Sequence, residues 1–135
     1  MFKFLEKNKK YLIYVPLVLY WIVLFTATTL PGNDVPSLGV SDKIEHFTAY
    51  GVLSVLLCFT YLFQRKFRLL YSRPFLMTIL TVTVYGAFDE LHQLLVPGRS
   101  CDIFDLMADV TGASLGLLFV FLIKQLSRKT AAESD

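Results

Sequence analysis

At 135 residues the chain is one domain by length, with 55 % of its residues hydrophobic and only 18 % charged, and its mean hydropathy is +0.56. A water-soluble domain, in which about a quarter of residues carry charge, is excluded by that balance. The formal charge of +2 decides little, because in so apolar a chain the placement of charges matters more than their sum.

Residues 1–10 form a basic head with Lys3, Lys7, Lys9 and Lys10. Residues 11–30 follow without a charge, enough to cross the ~30 Å hydrocarbon core as a helix. The run is longer than a signal-peptide core and lacks a small-x-small cleavage site, so it reads as a retained first span. Pro31-Gly32 ends it, and residues 33–40 read as a turn-rich loop. A second span is expected over 42–63, with Ser41 or Asp42 capping its first turn. The basic segment 64–73 reads as a loop at the membrane surface, not as a nucleic-acid site. A third span is expected over 75–96, a turn at Pro97-Gly98-Arg99-Ser100, and a fourth span over 102–123, with Asp102 as a candidate N-cap. Residues 124–135 read as a polar, disordered tail. Cys58 and Cys101 have no metal or redox spacing and fall at different depths, so no disulfide is expected.

The fold class is therefore an all-α membrane protein with four transmembrane helices. Of 13 Lys and Arg, all but Lys43 and Arg99 lie in the head, in 64–73 or in the tail. Those segments share one face of a four-span topology, which the positive-inside rule makes cytoplasmic together with both termini. Asp34, Asp42, Glu45, Asp89, Glu90, Asp102, Asp105 and Asp109 fall on the opposite side.

Three stripes at helical spacing carry the polar groups. Lys43, His46 and Tyr50 share a face of the second span; Gly86, Glu90, Gln93 and Pro97 share one on the third; Asp105, Asp109, Gly112 and Gly116 share one on the fourth. A carboxylate is costly in hydrocarbon, so the stripes should face one another, and Gly112-x-x-x-Gly116 lets helices approach closely. Asp89 and His92 read as residues of the rim. The cluster admits several chemistries. Carboxylates with His46 suit a divalent cation, although no established metal-ligand spacing accompanies them. A deep Glu90 or His46 suits general acid/base work. Lys43 and Arg99 suit an anionic headgroup. An internal network that only locks the helices together is the remaining reading.

Several ordered motifs together resemble the VanZ-like family of small bacterial membrane proteins. They are Leu30-Pro31-Gly32, Asp42-Lys43-x-x-His46-Phe47-x-x-Tyr50, Glu90-x-x-Gln93, Pro97-Gly98-Arg99-Ser100, Asp105 and Gly112-x-x-x-Gly116. Asp109 and Cys101 depart from the pattern, since Asn and an aromatic are common there. The resemblance implies a multi-pass protein of the bacterial inner membrane. It also implies a link to the cell envelope, the founding member being associated with low-level resistance to the glycopeptide teicoplanin.

The expected site is a polar pocket open to the outer leaflet, built from the second, third and fourth spans and lined by Lys43, His46, Tyr50, Glu90, Gln93, Arg99 and Asp105. Asp42, Asp102 and Asp109 are secondary candidates, and Gly86, Gly112 and Gly116 serve packing. The expected partners are the lipid bilayer and an envelope lipid or cell-wall precursor headgroup, with Lys43 and Arg99 on its anionic group. No metal is assigned. The alternatives are an enzyme using Glu90 or His46 as acid/base, and a structural or partner-binding protein. Any cofactor and the oligomeric state stay open.

Overall fold

A computed structural model of the chain describes residues 2–31, 39 and 41–132. These residues are mostly helical, and no strand occurs among them. Helix α1 spans Phe2–Lys7, a π-helical stretch spans Lys10–Tyr14, and α2 spans Val15–Thr29. Then come α3 (Asp42–Phe63), the short α4 (Arg68–Ser72), α5 (Pro74–Gln93) and α6 (Ile103–Ala132). Gly39 apart, the loop expected over 33–40, with Asp34, lies outside the described residues, as do the last three residues of the tail.

The long helices α2, α3, α5 and α6 alternate in direction. At one end Lys9 Nζ donates to Phe63 O at 3.1 Å and Arg65 pairs with Glu6 at 3.5 Å. A cavity at that end is lined by Arg65, Lys124 and Arg128. At the other end Arg99 reaches the last turn of α2 through Nη2 to Ala27 O, 3.1 Å. Cations therefore gather at one end of the bundle, where both described chain ends lie, and acids gather at the other.

Among the described residues, three segments are long and apolar enough to cross a membrane: Lys10–Thr29, Asp42–Phe63 and Ile103–Lys129. Helix α5 has the length, at 20 residues, but its last turns carry Asp89, Glu90, His92 and Gln93 and lower its apolarity. The exterior is apolar nonetheless. Val18, Leu19, Ile22, Val84, Phe88, Leu115 and Phe119 are exposed, while Asp89, Glu90, Gln93, Asp105 and Asp109 are buried. That inversion of the water-soluble pattern suits an apolar surround.

Packing centres on α3 and α6, the most extensive helix pair. A Cβ on Gly112 would run into the Phe47 carbonyl, and one on Gly116 into Ser54 Oγ and, at 2.5 Å, Gly51 O. Only glycine allows backbones to approach this closely. Leu17, Leu24, Leu53, Leu57, Val82 and Ala113 fill the core around that seam.

Several boundaries depart from expectation. Neither Ser41 nor Asp42 caps α3 through its side chain; the first turn is tied to the Ser41 carbonyl, which accepts from Ile44 N at 2.9 Å and Glu45 N at 3.2 Å. Helix α5 stops at Gln93, three residues before the expected end of its span, because the chain turns toward Pro97-Gly98, where Gly98 has φ 75°. Helix α6 runs on to Ala132, so residues 124–132 are helical, not disordered. The tail's Lys, Gln and Arg favour helix even where the chain turns polar.

Candidate functional site

Helical spacing delivers the site. Lys43, His46 and Tyr50 project from one face of α3, and Gly86, Asp89, Glu90 and Gln93 share one face of α5. Asp105 and Asp109 lie one turn apart on α6. Lys43 Nζ sits 2.7 Å from Asp102 Oδ2 and 3.0 Å from Asp105 Oδ1. One turn deeper, His46 Nδ1 lies 2.9 Å from Asp109 Oδ1 and 4.0 Å from Glu90 Oε1. The other ring nitrogen, Nε2, lies 3.9 Å from Asp42 Oδ1. Tyr50 donates its hydroxyl to Asp89 Oδ2 at 3.0 Å. Glu90 Oε2 accepts from the Asp102 backbone N–H at 2.7 Å, which ties α5 to the start of α6. Asp102 also caps α6, its Oδ1 accepting from Phe104 N at 2.8 Å.

Acids outnumber bases here. The ammonium of Lys43 holds the Asp102 carboxyl below the usual carboxylate range, helped by the Phe104 amide. With Lys43 drawn to Asp102 and Asp105, the His46 ring is the basic group beside Glu90 and Asp109 among the described residues. Glu90 Oε1 and Asp109 Oδ2 are buried and accept no hydrogen bond from the described residues. Gly86 makes room for Asp109: a Cβ there would lie 2.8 Å from Asp109 Oδ2. An aromatic ladder borders the cluster, with Trp21 against Tyr85 at 5.6 Å, Tyr85 against Tyr50 at 6.0 Å and Tyr50 against His46 at 6.2 Å. Among the described residues, two groups bring ligating atoms within 4.8 Å of one another, His46 with Glu90 and Asp109, and His46 with Asp42 and Asp105.

A cavity of about 330 Å³ opens beside the cluster, between α2, α3 and α5. Its apolar wall includes Leu24, Ala49 and Val52, and its polar part includes His46, Tyr50, Asp89, Gln93 and Arg99. The wall from α2 is pinned by Tyr20, whose hydroxyl donates to Ala49 O at 2.9 Å.

The expected lining residues therefore divide. His46, Tyr50, Gln93 and Arg99 line the cavity. Lys43, Glu90 and Asp105 sit behind it, against α6. Lys43 is committed to two carboxylates, and Arg99 donates to Ala27 O and, through Nε at 3.4 Å, to Leu30 O. Lys43 is thus held by carboxylates, whereas Arg99 is held by backbone carbonyls at the edge of the cavity. The cavity wall also comes from the first span, α2, in place of the fourth. Asp89 is not at the rim, where the sequence reading sets it, but 3 % exposed; its i+3 spacing from Gly86 and i+4 spacing to Gln93 is the overlooked signal that it shares their face. Asp109, a secondary candidate, is the most deeply buried carboxylate of the group. No sequence signal pointed to Tyr20 or Thr28, because a hydroxyl inside an apolar run carries no direction.

Comparison with known proteins places this geometry in a family. The model of the VanZ/LLP1 family matches residues 4–124. An uncharacterised protein of Schizosaccharomyces pombe is 29 % identical over 120 residues, which span 88 % of this chain and 67 % of that relative. No solved structure matches the chain.

Proposed function

We propose, for a chain that belongs to the VanZ/LLP1 family, that it is a multi-pass protein of a bacterial inner membrane that seats the headgroup of an envelope amphiphile in the cavity between α2, α3 and α5. The observation that carries this reading is the split lining of that cavity, apolar along Leu24, Ala49 and Val52 and polar at His46, Tyr50, Asp89, Gln93 and Arg99. An apolar chain and a polar head are the two halves of a ligand that fits such a wall. Asp42, Glu45 and Asp89 line it together with Arg99, a balance that favours a headgroup rich in hydroxyl or amine donors over a polyanion.

Helix α5 completes a fourth crossing in this reading, its polar end covered by α3 and α6. The clustering of Lys9, Arg65, Lys124 and Arg128 supports the orientation. The positive-inside rule assigns that end, with both termini, to the cytoplasm, and the cavity to the outer leaflet.

Native mass spectrometry of the protein extracted with its lipids tests the proposal. A co-purifying amphiphile is expected on the wild type and lost in Gln93→Ala with the fold intact. Substitutions that only lower stability, without changing bound lipid, would overturn the reading. Expression in a susceptible bacterium separates ligands, since protection against teicoplanin singles out a cell-wall precursor.

The close pairing of His46 with Asp109 favours a second reading, an enzyme in which a carboxylate orients His46 as an acid/base and Glu90 serves beside it. Turnover of the co-purified amphiphile, abolished in Glu90→Gln, distinguishes this from binding alone.

A further inference from the structure

We propose that His46, Glu90 and Asp109 form a binding site for a divalent transition-metal ion, such as Zn²⁺ or Mn²⁺, at the junction of α3, α5 and α6. The three side chains come from three helices and are 8 %, 3 % and 0 % exposed. One ligating atom of each lies within 4.8 Å of the others. Metal–donor bonds of about 2.0–2.2 Å would draw those atoms closer together around the ion.

The second, independent observation is the unpartnered oxygen of Glu90. Its Oε2 is fixed by the Asp102 amide at 2.7 Å, and this aims Oε1, which has no hydrogen-bond partner, toward His46 Nδ1 at 4.0 Å. Holding a ligand's second oxygen on a backbone amide is how a protein orients a coordinating carboxylate. Asp109 brings its Oδ1 to 2.9 Å from the same ring nitrogen, and its Oδ2 is buried without a hydrogen-bond partner. A buried carboxylate oxygen with no partner is costly, and a cation removes that cost. Lys43 is held on Asp102 and Asp105 and does not supply one.

One imidazole and two carboxylates form a donor set of intermediate hardness. It selects a transition ion over Mg²⁺ or Ca²⁺, which prefer oxygen alone. Three protein ligands leave further coordination positions open. The ion would displace the proton held between His46 Nδ1 and Asp109 Oδ1, so affinity rises with pH. This inference does not rest on the headgroup reading. It does bear on the enzymatic one, because His46 and Glu90 are not free as acid and base while they hold an ion.

The test uses the full chain in detergent, stripped with a chelator, exchanged into Zn²⁺ or Mn²⁺, and assayed by elemental analysis and titration calorimetry. A single ion per chain is expected on the wild type. Glu90→Gln and Asp109→Asn, which keep size and shape, should each weaken it by more than about a hundredfold, and Glu6→Gln, at the opposite end of the bundle, should leave it unchanged. Wild type that takes up no ion, or isosteric variants that keep it, would overturn the proposal. Should a variant fail to fold, pulsed electron paramagnetic resonance of Mn²⁺-loaded wild type decides the matter. Coupling to an imidazole nitrogen supports the site, and its absence sinks it.

Discussion

Tyr50 and Asp89 show what a single contact does in this interior. The phenol donates to Asp89 Oδ2 with both groups buried, so Tyr50→Phe leaves a buried carboxylate oxygen without its donor. We expect a loss of about 1–2 kcal/mol, read as a lower unfolding midpoint in detergent. Lys43 and Asp102 lie nearer the surface, 49 % and 35 % exposed at the side chain, and their contribution is correspondingly small. It has a definite sign. Asp102 is held below the usual carboxylate range, so its stabilisation is fully present above the unfolded carboxylate value of about 3.9 and is lost as pH falls through the lower folded value. In thermal scans Asp102→Asn should therefore have a shallower acid limb than wild type below pH ~4. These residues also mark how far the site was legible in the chain. Spacing at three and four residues fixes which side chains share a helix face, and so named His46, Tyr50, Glu90 and Gln93. It says nothing about which faces meet. That Lys43 turns to α6, that Arg99 turns to α2, and that Asp89 is enclosed by Tyr50 are outcomes of tertiary packing.

At the scale of the helix, the seam between α3 and α6 sets the architecture. A methyl at Gly112 meets the Phe47 backbone, one at Gly116 meets Ser54 Oγ and the Gly51 carbonyl, and one at Gly51 lies 3.3 Å from Gly112 O. Destabilisation should follow the order Gly112→Ala, then Gly116→Ala, then Gly51→Ala. The first should cost about 1–3 kcal/mol or more, because backbone cannot step aside. Thr111→Ala, on the exposed side of α6, should change the midpoint little. Equal losses at all four positions would refute the seam. The middle of each long helix was readable because an uncharged run declares itself. Their ends were not. Hydropathy marks where a chain leaves an apolar medium, whereas hydrogen bonding continues past that point in α6. In the head the chain slips into a π-helical stretch at Lys10–Tyr14 that no pattern of residue types announces.

For the whole molecule, the polarity of the bundle is the property that function depends on. Cys101 is exposed at the acidic end and Cys58 is buried, so the native chain carries its own reporter. A membrane-impermeant maleimide applied to intact cells should label Cys101. In a Cys101→Ser background, Arg128→Cys should react only after permeabilisation. Labelling of Arg128→Cys from outside would reverse the orientation and place the cavity in the inner leaflet.

The unequal attachment of the helices has a kinetic consequence. Helices α3 and α6 are joined backbone to backbone. Helix α2 packs less extensively, and its fastenings include three side-chain hydrogen bonds, from Tyr20 to Ala49 O and from Arg99 to Ala27 O and Leu30 O. Such bonds break and re-form far faster than a glycine seam separates. For the amphiphile proposed above, entry should thus proceed sideways, from the bilayer plane, with α2 as the moving wall and a barrier set by those few bonds. Amide exchange in detergent should be faster in α2 than in α3 or α6, and Tyr20→Phe should hasten both that exchange and ligand release while leaving the α3–α6 pair as slow as before.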